Sequence, residues 1–372
     1  MNCWELPQWP NFTYDRAALT SMLNSISQHL YPLLKQVAAL PEENQRSYLF
    51  ERLVVEVQNT SSIEGELYSR EDIRSSLLNN MTLGYQTLNV RDKRAIGIGK
   101  VVHEVVNHHN VAVTESMIKY WHSLLFEGNT ALRSIGDYRL GPEPMRIISG
   151  SPSNPIVHYE APPADTLTQE MNQFVIMLDK RHSDDPLVSG ILLAGLSHLH
   201  FESIHPFEDG NGRIGRALID YLLSHTLGVL APFSISQSLQ LRQRGYYAAL
   251  NSGRKDLDAT QWMIFYLEAV SKSIRLAKQR VKFVLQKTLM LSRLKTRLSK
   301  NQEKALIRLF DAGPEGFKGG FSAKNYANLT RVSKPTATRD LSNLVALGAL
   351  LRTGAGRATR YELNLAPLRE EE

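Results

Sequence analysis

The run His205-Pro206-Phe207-Glu208-Asp209-Gly210-Asn211-Gly212-Arg213-Ile214-Gly215-Arg216 gathers an imidazole, a carboxylate, a glycine-flanked turn and two guanidinium groups within twelve residues. Gly210, Asn211 and Gly212 accept left-handed backbone angles, so a tight turn is predicted there. From Arg213 to Leu223 apolar residues recur at helical spacing, which predicts a helix opening at the turn. Unpaired N–H groups at a helix start attract anions, and glycine lets a phosphate come close. Arg213 and Arg216 stand three apart on one face of the first turn, and their planar forks match phosphate oxygens. Asp209 offers one hard oxygen of the kind Mg²⁺ takes beside substrate phosphates. His205 titrates near neutral pH, as a general base should. Taken singly, these are more often a packed histidine, an ordinary turn and solvated charges. Their conjunction points to transfer of a phosphate-containing group.

The run fits H-x-F-x-[D/E]-G-N-G-R-x-x-R at every fixed position. In this it resembles the signature of the Fic family, whose members mostly transfer AMP from ATP to a protein hydroxyl and release pyrophosphate. The resemblance implies that His205 is the catalytic base for a target Ser, Thr or Tyr, and that Phe207 anchors the loop. It implies that Asp209 holds Mg²⁺ across the α- and β-phosphates, and that Gly210, Asn211 and Gly212 cradle the phosphates. Arg213 would reach the β-phosphate region and Arg216 the γ-phosphate. In-line attack at the α-phosphorus needs positioning and charge neutralisation more than covalent help, which agrees with this set of residues.

Upstream, Thr60-Ser61-Ser62-Ile63-Glu64-Gly65 resembles the inhibitory motif [S/T]-x-x-x-E-[G/N] found ahead of many Fic cores. It follows an amphipathic stretch, Arg46 to Gln58, with Leu49, Leu53, Val54 and Val57 on one side. The resemblance implies that Glu64 pairs with Arg216 and spoils the γ-phosphate seat; the plainer reading is a solvated or capping carboxylate.

Met145 to Ile148 and Ile156 to Tyr159 are β-prone runs around a Ser/Gly/Pro/Asn loop, which predicts a hairpin. Fic proteins carry a flap at this place that holds target backbone by strand addition; an exposed connecting hairpin is the alternative. Arg244 to Asn251 resembles the family's base-lining segment, which makes Tyr246, Leu250 and Asn251 ATP-binding candidates. Core packing competes for Tyr246 and Leu250. His198 and His200, two apart on a predicted helix from Leu187 to Glu202, cannot share a face and read as packed histidines rather than metal ligands.

The 372 residues are 42% hydrophobic and 22% charged, enough for two or more domains. No apolar run is expected to span a membrane, and no basic-then-apolar leader is read at the N-terminus. The single Cys3 excludes an intramolecular disulfide framework and suits the reducing cytoplasm. The expected organisation is an N-terminal helical region 1–90 carrying the inhibitory motif, a catalytic core 91–268, a linking helix 269–300 and a last domain 301–372.

The linking helix is read from Ile274, Val281, Leu285, Leu289 and Leu298 within a basic amphipathic stretch, Ser271 to Lys300. In the last domain, helices are predicted at Gln302 to Phe310, after a Ser322 cap, and after a Ser333 cap with Pro335 near the start, followed by a Gly-rich hairpin over Leu350 to Leu363. Three helices and a hairpin resemble a winged helix-turn-helix, a common companion of Fic cores. Residues 301–361 hold ten Lys/Arg against four Asp/Glu. Lys334, Thr336, Thr338, Arg339, Arg357 and Arg360 are candidates to meet DNA, with docking of a protein as the alternative.

The expected fold is mainly α: a Fic-type helical core with a small β-hairpin flap, plus a C-terminal winged helix-turn-helix. The expected activity is Mg²⁺- and ATP-dependent protein adenylylation, of another protein or of the chain itself, autoinhibited by Glu64. The alternatives are a nucleotide-sensing transcription regulator that binds DNA, and removal of AMP from modified targets. A homodimer is left open, and no membrane partner is expected.

Overall fold

The computed structural model describes residues 2–81, 88–151, 154–180, 182–313, 316–317 and 319–365, with side chains described outside 148–156 and 357. The expected hairpin tip at Pro152 and Ser153 and the side chain of Arg357 therefore lie outside the described residues. Two compact units form: residues 1–38 with 49–277, and residues 39–48 with 278–372.

The chain builds α1 (Arg16–Ala38), α2 (Glu42–Ile63), α3 (Arg70–Met81), α4 (Arg94–His108) and α5 (Glu115–Leu125). A hairpin of β1 (Arg146–Ser151) and β2 (Asn154–Glu160) follows, then α6 (Leu167–Met177), α7 (Pro186–Ile204), α8 (Asn211–Leu227), α9 (Ile235–Leu241) and α10 (Gln243–Gly253). The helix α11 (Thr260–Leu294) runs across the division between the units.

At the centre of the larger unit is α7. Asp185 caps it by accepting from the N–H groups of Leu187 (2.9 Å) and Val188 (3.2 Å), and Pro186 occupies its first turn. Nearly every side chain on it is buried, so its apolar residues go all the way round. By length and composition α7 could cross a membrane, contrary to expectation, but 89% of that stretch is buried inside the unit. Antiparallel β1 and β2 pair Arg146 with Glu160 and Ile147 with Tyr159, then slip register by a bulge between Ile147 and Ile148.

Buried polar bonds fasten α2 to this framework. Arg52 makes a two-pronged pair with Asp220 of α8, and its Nε donates to the Phe233 carbonyl (3.0 Å). One turn on, Glu56 accepts hydroxyl bonds from Ser234 (2.6 Å) and Ser236. Burial and the neighbouring Asp220 charge raise the Glu56 carboxyl above its usual range.

The expected boundaries differ at both ends of the linking helix. The linking helix was expected from residue 269, but α11 starts at Thr260, where Trp262, Met263, Tyr266 and Leu267 share one buried face while Gln261 and Glu268 are exposed. It ends at Leu294, and the compact units divide at 277/278 rather than at 268 or 300.

The smaller unit has α12 (Lys300–Asp311), α13 (Ala323–Thr330), α14 (Lys334–Ala346), β3 (Leu350–Thr353) and β4 (Arg360–Leu363). Ser299 with Gln302, and Ser322 with Asn325, form reciprocal caps, and Ser333 accepts from the Thr336 N–H. The strands are antiparallel, with Leu350 opposite Leu363. Phe321, ahead of α13, bridges to Tyr361. Leu306, Phe310, Tyr326, Leu341, Leu344 and Tyr361 are among its buried core.

Candidate functional site

The His205–Arg216 run forms the loop from α7 into the first turn of α8. His205 closes α7 in a left-handed conformation (φ 50°, ψ 59°), its N–H donating to the Phe201 carbonyl (2.9 Å). That strained backbone is held from outside. Arg139 Nε donates to the His205 carbonyl (2.9 Å), Arg139 Nη2 to the Pro162 carbonyl beyond β2 (2.6 Å), and the Arg139 N–H to the Pro206 carbonyl (2.9 Å). Arg139 thus ties the imidazole-bearing residue to the foot of the hairpin.

The His205 imidazole is 14% exposed, and Nδ1 lies 3.8 Å from Glu202 Oε2. Burial, then the charges of Arg254 and Arg139, push its pKa down to about 3, so the ring is neutral at physiological pH. Behind it sits a buried pair in which Arg254 Nη2 donates to Glu202 Oε2 (2.8 Å) and to the Glu202 carbonyl (2.9 Å).

Phe207 is fully buried and stacks on His122, with centroids 4.1 Å apart and planes 9° apart. The His122 tautomer follows from its partners. Nδ1 accepts from the Gly136 N–H (2.9 Å), so Nε2 carries the hydrogen and donates to the Asp209 carbonyl (3.2 Å). Burial pushes His122 down to about 4, which keeps it neutral. Asn211 spans the loop: its Oδ1 accepts from the Phe207 N–H (2.9 Å) and its Nδ2 donates to the Phe207 carbonyl (2.8 Å). Phe207, expected to anchor the loop and counted with the ATP-binding residues, is packed in the core, and Asn211, expected to cradle phosphates, spends its side chain building the loop. Gly210 is left-handed (φ 82°) at the head of α8, and a Cβ there would come within 2.6 Å of Phe126.

The open side of the loop carries the charges. Arg216 is fully buried. Its Nε donates to Thr60 Oγ1 (2.8 Å), and its Nη2 to the Thr60 carbonyl (2.9 Å) and to Glu64 Oε1 (2.6 Å). Its Nη1 is buried, has no hydrogen-bond partner by geometry among the described residues, and lies 3.0 Å from where a Gly212 Cβ would stand. Glu64 Oε1 lies over the same glycine, too close for any Cβ. A carboxylate therefore sits in the mouth of the glycine turn. Arg213 Nη1 donates to Glu66 Oε2 (2.8 Å), and its guanidinium lies 5.0 Å from the centre of the Phe126 ring. Asp209 presents a half-exposed carboxylate, 3.4 Å from Arg213 Nη2. One exposed carboxylate beside an anion seat suits Mg²⁺, which completes its shell with phosphate oxygens and water.

The base-lining candidates fare differently. Tyr246 and Leu250 are buried (1% and 2% exposed), so both belong to the core, and Asn251 is half-buried. The Tyr246 hydroxyl meets His198 Nε2 at 2.8 Å, and the two rings stack. The neighbouring Tyr247 faces outward, and its hydroxyl donates to the Ile63 carbonyl at the end of α2 (2.9 Å), as does Gln243 Nε2 (2.7 Å). His198 and His200 are buried and pushed down to about 3, so they are packed neutral rings as expected. Arg139, His122, Glu202, Arg254 and Glu66 had no assigned role in the sequence reading. The bonds that tie them to the site, such as His122 to Gly136 and Glu66 to Arg213, join residues from 14 to 147 positions apart, and no local spacing signals them.

Residues 112–223 match the Fic/DOC family, and residues 3–83 match a domain of unknown function, DUF4172. A stretch of 80 residues is 36% identical to the uridine 5'-monophosphate transferase of Xanthomonas campestris pv. campestris (strain 8004); it covers 20% of this chain and 15% of that protein. A Fic family protein from Desulfovibrio desulfuricans G20 superposes with a TM-score of 0.56 at 22% identity, over 97% of this chain and 99% of the other. C. elegans Fic-1 (aa134–508) aligns over 72% of this chain and 74% of its own, with a TM-score of 0.52 and 18% identity. A Fic domain containing signaling protein from Bacteroides thetaiotaomicron VPI-5482 gives 0.50 at 19% identity, over 69% and 98%. These likenesses establish the fold, and the loop from His205 to Arg216 lies inside the matched segment.

Proposed function

We propose that this protein transfers AMP from ATP to a Ser, Thr or Tyr hydroxyl of a protein, with Mg²⁺ held by Asp209, and that Glu64 restrains it. Fic-domain proteins transfer nucleoside monophosphates to proteins. The observation that carries the reading is the Glu64 carboxylate over Gly212 and on Arg216, with Arg216 Nη1 left open beside it. An anion seat is complete, and a side-chain anion occupies it. A triphosphate would displace that carboxylate, Arg216 and Arg213 would take its outer phosphates, and neutral His205 Nε2 or Nδ1 would accept the hydroxyl proton. Mg²⁺, when bound, would offset the charge of the phosphates.

The test is incubation with ATP or UTP labelled at the α-phosphate. Label should pass to protein from ATP, rise at least about tenfold in Glu64→Gly, and vanish in His205→Ala. Label from UTP alone would replace AMP by UMP, in line with the name of the Xanthomonas relative. Release of AMP from premodified protein, with no labelling, would replace transfer by removal.

A second reading concerns the smaller unit. Its order of helix, bridge, two helices and hairpin supports a winged helix, with Arg331, Lys334 and Arg339 exposed around the α13–α14 turn. That arrangement favours duplex DNA as a partner. Arg360 is not part of the case, since its Nε donates to the Gly319 carbonyl (2.7 Å) and braces a loop. A gel shift of random duplex by the full chain that weakens with salt supports this reading; no shift at low salt removes it.

A further inference from the structure

One turn carries two inhibitory contacts. The end of α2 is a Schellman arrangement around Gly65 (φ 79°), in which the Glu66 N–H donates to the Ser61 carbonyl (3.0 Å) and the Gly65 N–H to the Ser62 carbonyl (3.1 Å). That backbone fixes Glu64 and Glu66 on either side of the glycine. Glu64 reaches Arg216 (2.6 Å), and Glu66 reaches Arg213 (2.8 Å). Glu66 Oε2 also accepts from the Tyr68 hydroxyl, and the Tyr68 ring lies beneath the Arg94 guanidinium, 5.5 Å from its centre. Arg213 is pinned from the other side by the Phe126 ring. Each guanidinium of the loop thus gives an N–H to a carboxylate of this turn, the two carboxylates standing two residues apart.

We infer that Glu66 is a second brake, which closes the Arg213 seat independently of Glu64, so that both carboxylates must leave before a triphosphate is fully held. The inference rests on the reading that the loop seats a nucleotide phosphate chain. The Arg213–Glu66 pair is largely shielded, with side chains 6% and 23% exposed. Such a charge-assisted bond competes with a phosphate for the same donors. Glu64→Gly alone therefore leaves Arg213 occupied and releases only part of the available affinity.

The experiment measures ATP binding by calorimetry, with and without Mg²⁺, for Glu64→Gly and for Glu64→Gly/Glu66→Ala in the full chain. The double variant should bind about tenfold more tightly than the single one. Equal affinities would overturn the second brake. Glu64→Gly/Glu66→Gln, which keeps an acceptor for Tyr68, carries the same comparison should the alanine form fail to fold. Binding is read without any transfer step. Loss of the transfer reading would appear as tight binding with no labelled protein, whereas loss of this inference would appear as unchanged binding.

Discussion

At the residue scale, the site depends on side chains that shape the loop as much as on those that face a ligand. Asn211 satisfies both main-chain groups of buried Phe207. Asn211→Ala leaves a buried donor and acceptor unpaired, at about 1–3 kcal/mol each. We expect a loss of about 2–4 kcal/mol in denaturant unfolding together with loss of transfer. Unchanged stability would show that the amide bonds are dispensable. Arg139 acts through the His205 carbonyl and touches no reacting atom, so it is a positioning residue. Arg139→Ala should lower kcat by about a hundredfold while nucleotide Kd stays within about twofold. A fall in affinity equal to the fall in kcat would refute that role.

The loop itself was legible because its roles are local. Turn, helix start, base and arginine pair all lie within twelve residues. Tyr246 stayed open between base lining and core packing because adjacent aromatic residues point about 100° apart on a helix, and sequence does not say which one is inward. Glu66 was invisible for another reason: its partner Arg213 is 147 positions away.

At the element scale, α2 presents the turn that carries Glu64 and Glu66 but is fastened well before it. The Arg52–Asp220 pair lies three helical turns ahead of Glu64, and Glu56 with its two serines lies two turns ahead. Removing one partner of a buried pair strands the other, so Arg52→Ala should cost about 3–5 kcal/mol in unfolding measurements. A cost below about 1 kcal/mol would mean that the pair is not what holds the helix. Since α2 is bolted at that point, freeing Arg216 and Arg213 from Glu64 and Glu66 would need only the segment from Thr60 to Glu66 to fray. The amphipathic pattern revealed α2 but not its full extent, because Thr60 to Ser62 are small and polar and interrupt the stripe before Ile63. The start of α11 carries the same one-sided pattern, but sequence alone did not show that it is continuous with the basic stretch after Ser271.

At the scale of the whole molecule, the core of the larger unit holds several neutral histidines. His198, His200 and His205 are pushed down to about 3, and His122 to about 4, chiefly by burial. The unfolded chain takes up these protons near pH 6.5, and the folded chain does so only near pH 3–4. Stability is therefore complete above about pH 6.5 and falls as the pH drops through that window, by about 2 kcal/mol per histidine at pH 5. A thermal melt should shift down by several degrees between pH 7 and pH 5. A flat profile across that range would contradict the burial of these rings. By the same reasoning His205 stays neutral near pH 7, so transfer should show no loss of base between pH 6 and pH 8.

The only thiol of the chain offers a native reporter. Cys3 is wholly enclosed, its N–H donates to the carbonyl of Arg254 (2.8 Å), and burial raises its thiol pKa. A sulfur-directed reagent can reach it only when the N-terminal strand of chain lifts away. Labelling kinetics would therefore time, without any engineered probe, how often the ground beneath Arg254 and Glu202 opens to water, and whether nucleotide quickens or slows that motion.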